Sequence, residues 1–244
     1  MRKVLFMKGS ELRLIEYMEG SKKRFIIPVY QRNYDWKIEN CKQLYDDLIQ
    51  VIKNNSKTHF FGSIVSVYEP SGRNTEFLII DGQQRLTTMS LLFLAMYNLL
   101  EEKIIISEDE SLKDQIYEDF LVDKYQPQEK RMKLKPIKND QKAFSKLFNS
   151  KDDYIKDSNL TINYSYFYER IQKQEITIDE LFDAICRLEI INITLNNEDN
   201  PQLIFESLNS TGLDLSEGDK IRNYILMGLP KQKQDEYYEK YWNC

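Results

Sequence analysis

Apolar and polar residues are arranged along this chain in patterns that predict both strands and helices. In residues 39–54 the apolar side chains recur at i, i+3, i+4 and i+7, which is typical of an amphipathic helix. Two segments rich in β-branched and aromatic residues, His59–Glu69 and 76–80, predict strands joined by the turn sequence PSGRN. The pattern also predicts a helix at Glu11–Glu19, a strand at Arg24–Tyr30 and a helix at about 86–100.

Helical patterns dominate after residue 100. Helices are predicted at 139–148, 164–172, 178–186, 200–208 and 216–229, with a strand or hairpin arm at 129–137 and a strand at 187–195. We therefore predict an α+β fold, with a small α/β domain at residues 1–100 followed by a mainly helical subdomain at residues 101–244. The chain ends within a helical pattern, so we expect a fragment of a longer protein.

Composition narrows the class of protein further. The 244 residues include 41% hydrophobic residues, as expected for a folded core, and the net charge of −5 disfavours a generally basic nucleic-acid coat. Three widely spaced cysteines and a single histidine argue against a disulfide framework or a zinc site. No apolar run is long enough to span a bilayer. We expect a soluble cytoplasmic protein with no membrane partner.

Two runs of opposite charge follow one another in the second half of the chain. Residues 101–123 carry nine acids and two lysines, and residues 124–142 carry seven bases and two acids. Such runs can be two solvated faces that attract each other. Alternatively, the basic run contacts phosphates of a nucleic acid.

The sequence FLIIDGQQRLTT, residues 77–88, has the composition of an anion pocket at a strand–helix junction. Gly82 allows a sharp turn or close approach to a ligand, and the following helix offers free N–H groups at its N-terminus. Arg85 adds a planar fork suited to phosphate, and Thr87 and Thr88 add hydroxyl groups. Asp81 could hold Arg85, bind Mg²⁺ or orient a water molecule. The alternative is a tight turn in which Asp81 caps the helix and Arg85 lies on the surface.

A second polar cluster, IPVYQRNYDW, occupies residues 27–36. Gln31 and Arg32 could reach phosphates or base edges, and Tyr30, Tyr34 and Trp36 could stack on a base. The alternative is a helix-capping loop whose aromatic side chains fill the core.

A third cluster, FESLNSTGLDLSEGDKIRN, occupies residues 205–223. Its Asn-Ser-Thr-Gly sequence predicts a turn between two helices, and Asn209 and Thr211 could close over the first pocket. Asp219 and Asn223 lie four residues apart, on one helical face. A purely structural corner between two helices is the alternative.

Other catalytic patterns are absent from the sequence. It has no Ser–His–Asp pattern, P-loop, Rossmann glycine pattern or HNH-type cluster. We therefore expect no nuclease activity from this chain alone, and we interpret the lone His59 as structural.

Taken together, IPVYQRNYDW, FFGSIV, IIDGQQRLTT and FESLNSTGLDLSEGDKIRN resemble the DGQQR-motif family. This family is the GmrS-like N-terminal domain of GmrSD-type, modification-dependent (type IV) restriction and antiphage systems. The resemblance extends from about Glu11 to Met227. It implies a ParB/sulfiredoxin-like α/β fold followed by a helical subdomain, with residues 82–85 binding nucleotide phosphate. It also implies nucleoside triphosphate (NTP) hydrolysis that controls restriction by a C-terminal HNH-type nuclease domain or a partner nuclease subunit.

Our leading hypothesis is an NTP-binding and NTP-hydrolysing regulatory domain of a restriction system, with Mg²⁺ as a possible cofactor. The predicted catalytic residues are Asp81, Gln83 and Gln84, and the predicted nucleotide-binding residues are Gln31, Arg32, Gly82, Arg85, Thr87 and Asn209. The alternative is a non-catalytic DNA-binding module that senses modified DNA through residues 31–36 and 124–142. A third hypothesis is a protein-interaction scaffold whose pocket has lost its ligand.

Overall fold

A six-stranded mixed sheet organises the protein. The structure is a computed structural model, and it describes residues 9–71, 74–195, 204 and 217–242. The strands are β1 (Gly9–Arg13), β2 (Lys23–Ile26), β3 (His59–Ser71), β4 (Asn74–Asp81), β5 (Leu134–Lys135) and β6 (Leu188–Leu195). Their order across the sheet is β1-β6-β3-β4-β2-β5.

This sheet contains two antiparallel and three parallel strand pairs. The long hairpin of β3 and β4 forms its centre and is antiparallel. Strand β6 pairs in parallel with β3 and antiparallel with β1, whereas β2 pairs in parallel with both β4 and β5. Strands β5 and β6 come from beyond residue 101, so the sheet combines both halves of the chain. The predicted domain division at residue 100 stays a prediction.

The helices surround the sheet. They are α1 (Leu14–Met18), α2 (Ile38–Lys53), α3 (Gln83–Glu101), α4 (Leu112–Gln115), α5 (Lys138–Lys146), α6 (Asn159–Gln172), α7 (Ile178–Cys186), α8 (Glu217–Met227) and α9 (Lys231–Tyr241). One turn of π-helix, Ile116–Leu121, follows α4, and short 3₁₀ turns occur at Gln128–Lys130 and Lys151–Asp153. The mixture of helices with a mixed sheet confirms the predicted α+β class.

Two hydrophobic clusters cover the two faces of the sheet. The larger cluster joins Ile64 and Ile79 to α2, α3, α6 and α7, and α3 lies at its centre because its residues 91–96 are completely buried. The smaller cluster joins Val65 and Ile80 to α8 and α9. A helix that is apolar around its whole circumference, such as α3, is expected in the interior. Helix α3 therefore provides a rigid support for whatever its first turn binds.

Most predicted elements occur in the structure, with three differences. The predicted helix at Glu11–Glu19 is wrong in its first half, because residues up to Arg13 form β1 and pair with β6. The strand predicted to reach Tyr30 stops at Ile26, two residues before Pro28, which has no N–H for a sheet hydrogen bond. Helix α3 begins at Gln83 rather than near residue 86.

Two further observations concern the described residues only. The predicted helix at 200–208 lies outside them apart from Ile204, which is buried against the smaller cluster. Among the helices that the structure describes, none is both long and apolar enough to cross a membrane.

Candidate functional site

Arg85 lies directly across Gly62 of the central strand β3. A Cβ atom built on Gly62 would lie 2.6 Å from Arg85 Nε and 2.8 Å from Arg85 Cζ. Gly62 has a φ of +129° and follows a break in the β3–β6 register, where Phe61 is skipped. A positive φ favours glycine, and so does the close approach of another group. The sequence FFGSIV thus provides the surface on which Arg85 rests, a role that sequence analysis missed.

Gly82 makes the turn from β4 into α3. It has a φ of +90°, and a Cβ there would lie 3.0 Å from both the Ser63 carbonyl oxygen and Ile64 Cγ1. No side chain caps the N-terminus of α3, and its first turn contains no acidic residue. The first-turn N–H groups and the positive end of the helix dipole are therefore available to an anion.

The Arg85 guanidinium is fixed through one nitrogen, and within the described residues its other terminal nitrogen has no partner. Its Nη1 donates to the Ser63 carbonyl at 2.8 Å and lies 3.9 Å from Asp81 Oδ2. The Arg85 and Asp81 side chains are 29% and 32% exposed, respectively. Within the described residues Nη2 has no hydrogen-bond partner. This arrangement leaves part of the guanidinium available for a phosphate.

The side chain of Gln84 braces the IPVYQRNYDW loop. Its Oε1 accepts from the backbone N–H groups of Asp35 at 2.9 Å and Trp36 at 3.2 Å, and its Nε2 donates to the Asn33 carbonyl at 3.1 Å. Because these three bonds occupy the amide, Gln84 positions the loop beside α3. This geometry does not test the predicted catalytic role of Gln84. A direct role in catalysis would require some of these hydrogen bonds to break.

Gln31 ties the start of the same loop to the end of β4. Its side chain is 3% exposed, and Nε2 donates to the Ile80 carbonyl at 2.8 Å. Ile80 is skipped in the β3–β4 register, since Val65 pairs with Asp81 and Ser66 pairs with Ile79. The irregular strand end is thus held by a residue predicted to contact nucleotide.

A buried hydrogen-bond network joins this loop to the helical part of the protein. The Tyr34 hydroxyl lies 2.7 Å from Thr88 Oγ1 and accepts from Asn163 Nδ2 at 3.0 Å. Asn163 Nδ2 also donates to the Trp36 carbonyl at 2.8 Å. The Thr88 hydroxyl is therefore used internally. Burial raises the pKa of Tyr34 well above its usual value, so the hydroxyl stays protonated.

A buried acid holds the backbone of the loop from α5. Asp140 Oδ2 accepts from the Tyr34 N–H at 2.6 Å. Burial raises the pKa of Asp140 to about 6, although the hydrogen bond from Tyr34 opposes that shift. Helices α3, α5 and α6 thus all contact residues 33–36, which fixes this loop next to the DGQQR turn.

Three predicted site residues have no partner among the residues that the structure describes. Gln83 and Thr87 are 7% and 1% exposed, and within the described residues neither side chain has a hydrogen bond. Arg32 is half-buried, and within the same residues its guanidinium has neither a hydrogen bond nor an ion pair. Within the described part of the chain, these polar groups are therefore not used in internal contacts.

Helix α8 approaches the same strand end from the other face of the sheet. Arg222 Nε donates to the Tyr30 carbonyl at 3.1 Å, and Arg222 Nη2 pairs with Asp219 Oδ1 at 2.6 Å. Asn223 is 3% exposed, and neither of its amide atoms forms a hydrogen bond with a residue that the structure describes. The predicted residues Asn209 and Thr211 lie outside the described part of the chain.

One further polar residue lies near this junction and was not singled out from the sequence. Asn192 of β6 pairs with Ile64, the residue that Gly82 approaches, and its Oδ1 is buried without a partner. It occurs in the strand sequence RLEIINITL, which also contains other polar residues, so the pattern alone does not single it out.

The basic run at residues 124–142 is largely engaged in internal contacts. Lys124 pairs with Glu118 at 2.7 Å, and Lys138 pairs with Glu239. Lys133 is 1% exposed, donates to the Gly20 and Asp119 carbonyls, and has its pKa lowered to about 8 by burial. These contacts favour the interpretation that the run stabilises the fold.

The fold and the junction define a class: an α+β domain whose central strand ends in a glycine turn, with an arginine held at the N-terminus of a buried helix. A family model described as "GmrSD restriction endonuclease, N-terminal domain" matches residues 14–226. The chain belongs to this family. It is therefore a domain of a restriction system, which has a role in defence. No curated protein matches the chain.

Proposed function

We propose that the DGQQR junction binds the phosphates of an NTP and that the domain uses this nucleotide to regulate DNA restriction. The observation that supports this most directly is the partly exposed Arg85, held across Gly62 beside the uncapped N-terminus of α3. A guanidinium fork and free helical N–H groups at one place form an arrangement suited to phosphate.

The neighbouring loop supplies a second cation. Arg32 follows Gln31, which is anchored to the end of β4, and its charge has no partner within the described residues. In our proposal Arg32 and Arg85 both contact phosphates, and Gly82 allows their close approach. Gln31 and Gln84 keep the loop beside the junction, and Thr87 adds a hydroxyl.

Hydrolysis is the second part of the proposal. Asp81 and Gln83 are the groups at the junction that could orient an attacking water molecule, because Gln84 is already bonded to the loop. Asp81 is partly exposed, and Gln83 has no internal partner within the described residues. Either group can hold a water molecule through its side-chain oxygen.

The residues present also fit a nucleotide-bound Mg²⁺. Among the described residues, no group of three acidic, histidine or cysteine side chains could hold a metal alone. Mg²⁺ at nucleotide sites is usually held by one or two carboxylates together with the phosphates, and Asp81 offers one carboxylate beside Arg85. When bound, the ion neutralises phosphate charge.

Isothermal titration calorimetry of the four common NTPs, with and without Mg²⁺, tests the proposal. We expect the wild type to bind at least one NTP and Arg85→Ala to bind it at least about tenfold more weakly, since the guanidinium bonds are charge-assisted. The matched control is Arg131→Ala, an exposed arginine in the turn before β5. No binding by the wild type, or equal binding by Arg85→Ala, would contradict the proposal.

The nucleotide would control a nuclease. The family is described as the N-terminal domain of a restriction endonuclease. We propose that its partner is a nuclease domain of the parent protein or a separate nuclease subunit, acting on modified DNA.

The alternative proposal is a non-catalytic module that binds modified DNA. It depends on the basic run 124–142. Three lysines of that run are already engaged within the protein, because Lys124 and Lys138 form ion pairs and Lys133 is buried. A gel-shift series with modified and unmodified duplexes at several salt concentrations separates the two proposals. Steep salt dependence without NTP binding would favour the DNA-binding module.

A further inference from the structure

Asn223 in α8 is a buried amide with no hydrogen-bond partner among the residues that the structure describes. The residue is 3% exposed, yet within the described part of the chain neither Nδ2 nor Oδ1 forms a hydrogen bond. Buried polar atoms in folded proteins are nearly always hydrogen-bonded, and each unsatisfied group costs about 1–3 kcal/mol. An asparagine that leaves both of its polar atoms unsatisfied indicates a missing partner with a donor and an acceptor side by side.

The position of α8 places Asn223 at the end of β4 from which the DGQQR turn starts. The preceding residue, Arg222, donates to the Tyr30 carbonyl, and the next loop residue, Gln31, donates to the Ile80 carbonyl. Ile80 directly precedes Asp81. These two hydrogen bonds connect the N-terminal half of α8 to the strand end through one short segment of the loop.

Helical spacing gives the direction of the Asn223 side chain. Leu226 lies three residues further along α8, on the same face, and packs in one cluster with Val65 and Ile80 of the sheet. Asn223 therefore faces the sheet one turn before Leu226. Because Arg222 bonds to the Tyr30 carbonyl and Gln31 bonds to the Ile80 carbonyl, we place Asn223 near the Asp81 end of β4.

We propose that Asn223 hydrogen-bonds the base of the nucleotide whose phosphates Arg85 holds. The inference rests on the proposed function. An asparagine amide presents one donor and one acceptor in a plane, which matches a base edge such as adenine N6 and N7. Arg85 supplies affinity for phosphate, which all nucleotides share, whereas Asn223 supplies preference among the bases.

The test compares Asn223→Leu with the wild type for the four NTPs and for inorganic triphosphate. Leucine has the same branched arrangement of side-chain heavy atoms and no polar atoms, so we expect the variant to fold and to keep its affinity for triphosphate. We expect its affinity for the preferred NTP to fall about 5- to 100-fold, which is the usual worth of one bidentate base contact. Arg85→Ala should weaken binding of NTP and triphosphate alike.

The outcomes separate this inference from the proposed function. If the wild type binds NTP through Arg85 but Asn223→Leu keeps the same affinities and base preference, the base contact is refuted and the phosphate site stands. If the wild type binds neither NTP nor triphosphate, both proposals are wrong. If Asn223→Leu does not fold, Asn223→Asp, which retains an acceptor at Oδ1, should change the order of base preference. Equal binding of triphosphate and all four NTPs by the wild type overturns the inference in any case.

Discussion

The guanidinium of Arg85 lies in the space that a side chain at position 62 would occupy. A Cβ at Gly62 would lie 2.6 Å from Arg85 Nε, and the backbone there has a φ of +129°. The proposed anion site thus depends on a residue of β3 that is 23 positions away from Arg85 in the sequence. A substitution at Gly62 therefore tests the proposed site without changing any group proposed to contact the nucleotide.

Gly62→Ala should displace Arg85 and abolish nucleotide binding. Because the new methyl group meets the arginine and the backbone conformation is strained, the free energy of unfolding should also fall by about 1–3 kcal/mol. Calorimetric NTP binding and urea unfolding measure the two effects.

The matched control is Gly20→Ala. Gly20 also has a positive φ, +103°, but a Cβ there would meet no atom within 4 Å. This variant should lose a similar amount of stability and keep its NTP affinity. Equal NTP affinities of the two variants would mean that Gly62 does not support the Arg85 site.

Substitutions of the two glutamines of DGQQR should have separate effects, one on stability and the other on catalysis. Gln84→Ala removes three hydrogen bonds to the loop and should lower the free energy of unfolding by about 2–3 kcal/mol. Hydrogen exchange at the Asp35 and Trp36 amides should accelerate in the same variant. Gln83→Ala removes no internal hydrogen bond within the described residues, so it should leave exchange unchanged and reduce phosphate release from NTP. If Gln83→Ala lowered stability and Gln84→Ala reduced only phosphate release, the proposed roles of the two glutamines would be refuted.

The sequence predicted the position of the DGQQR strand–helix junction, but it did not predict which residues support that junction. Gly82 and Arg85 could be recognised because a glycine turn followed by a helix places specific residue types next to each other in the chain. The start of α3 was missed by three residues, because Gln83, Gln84 and Arg85 are as polar as a loop although an uncapped first turn accommodates them. The resting place of Arg85 on Gly62 could not be predicted, since it depends on the distant pairing of β3 with its neighbours.

The start of the chain illustrates the same limit. Residues from Glu11 onward have apolar spacing that suits a helix, but Glu11 pairs with Ile191 and Leu12 with Ile190 as part of β1. Pairing with a strand almost 180 residues away decided the structure there. Local pattern determined the long helices α2 and α3, whereas the sheet edges depended on contacts that no short window contains.

Tyr34→Phe should weaken the link between the loop and the helices. Removing the hydroxyl leaves Thr88 and Asn163 with fewer partners in a buried place, which should cost about 1–2 kcal/mol of unfolding free energy. Thermal and urea unfolding measure the change, and Tyr125→Phe is the control because Tyr125 is 71% exposed. Equal stability of both variants would show that the network around Tyr34 adds nothing.

Asp140 should make stability depend on pH between about 4 and 7. Burial raises its pKa from 3.8 to about 6 in the folded protein, so the folded state binds the proton more tightly than the unfolded state. The stabilisation that Asp140 contributes is therefore complete below pH 4 and is lost as the pH rises through 6. Because one pKa unit corresponds to about 1.4 kcal/mol, the loss should amount to roughly 2–3 kcal/mol.

Urea unfolding of the wild type and Asp140→Asn from pH 4 to pH 8 measures this loss. Asparagine does not titrate, so the stability of the wild type relative to Asp140→Asn should decrease as the pH rises through 6 and level off above about 7. The matched control is Asp152→Asn, which removes one exposed carboxyl and changes the net charge equally. A carbon-13 titration of the Asp140 carboxyl should give a midpoint near 6. A midpoint near 4 would mean that the contact with the Tyr34 N–H, rather than burial, dominates the charge state of Asp140 and that the loop is held by an ionised acid throughout this pH range.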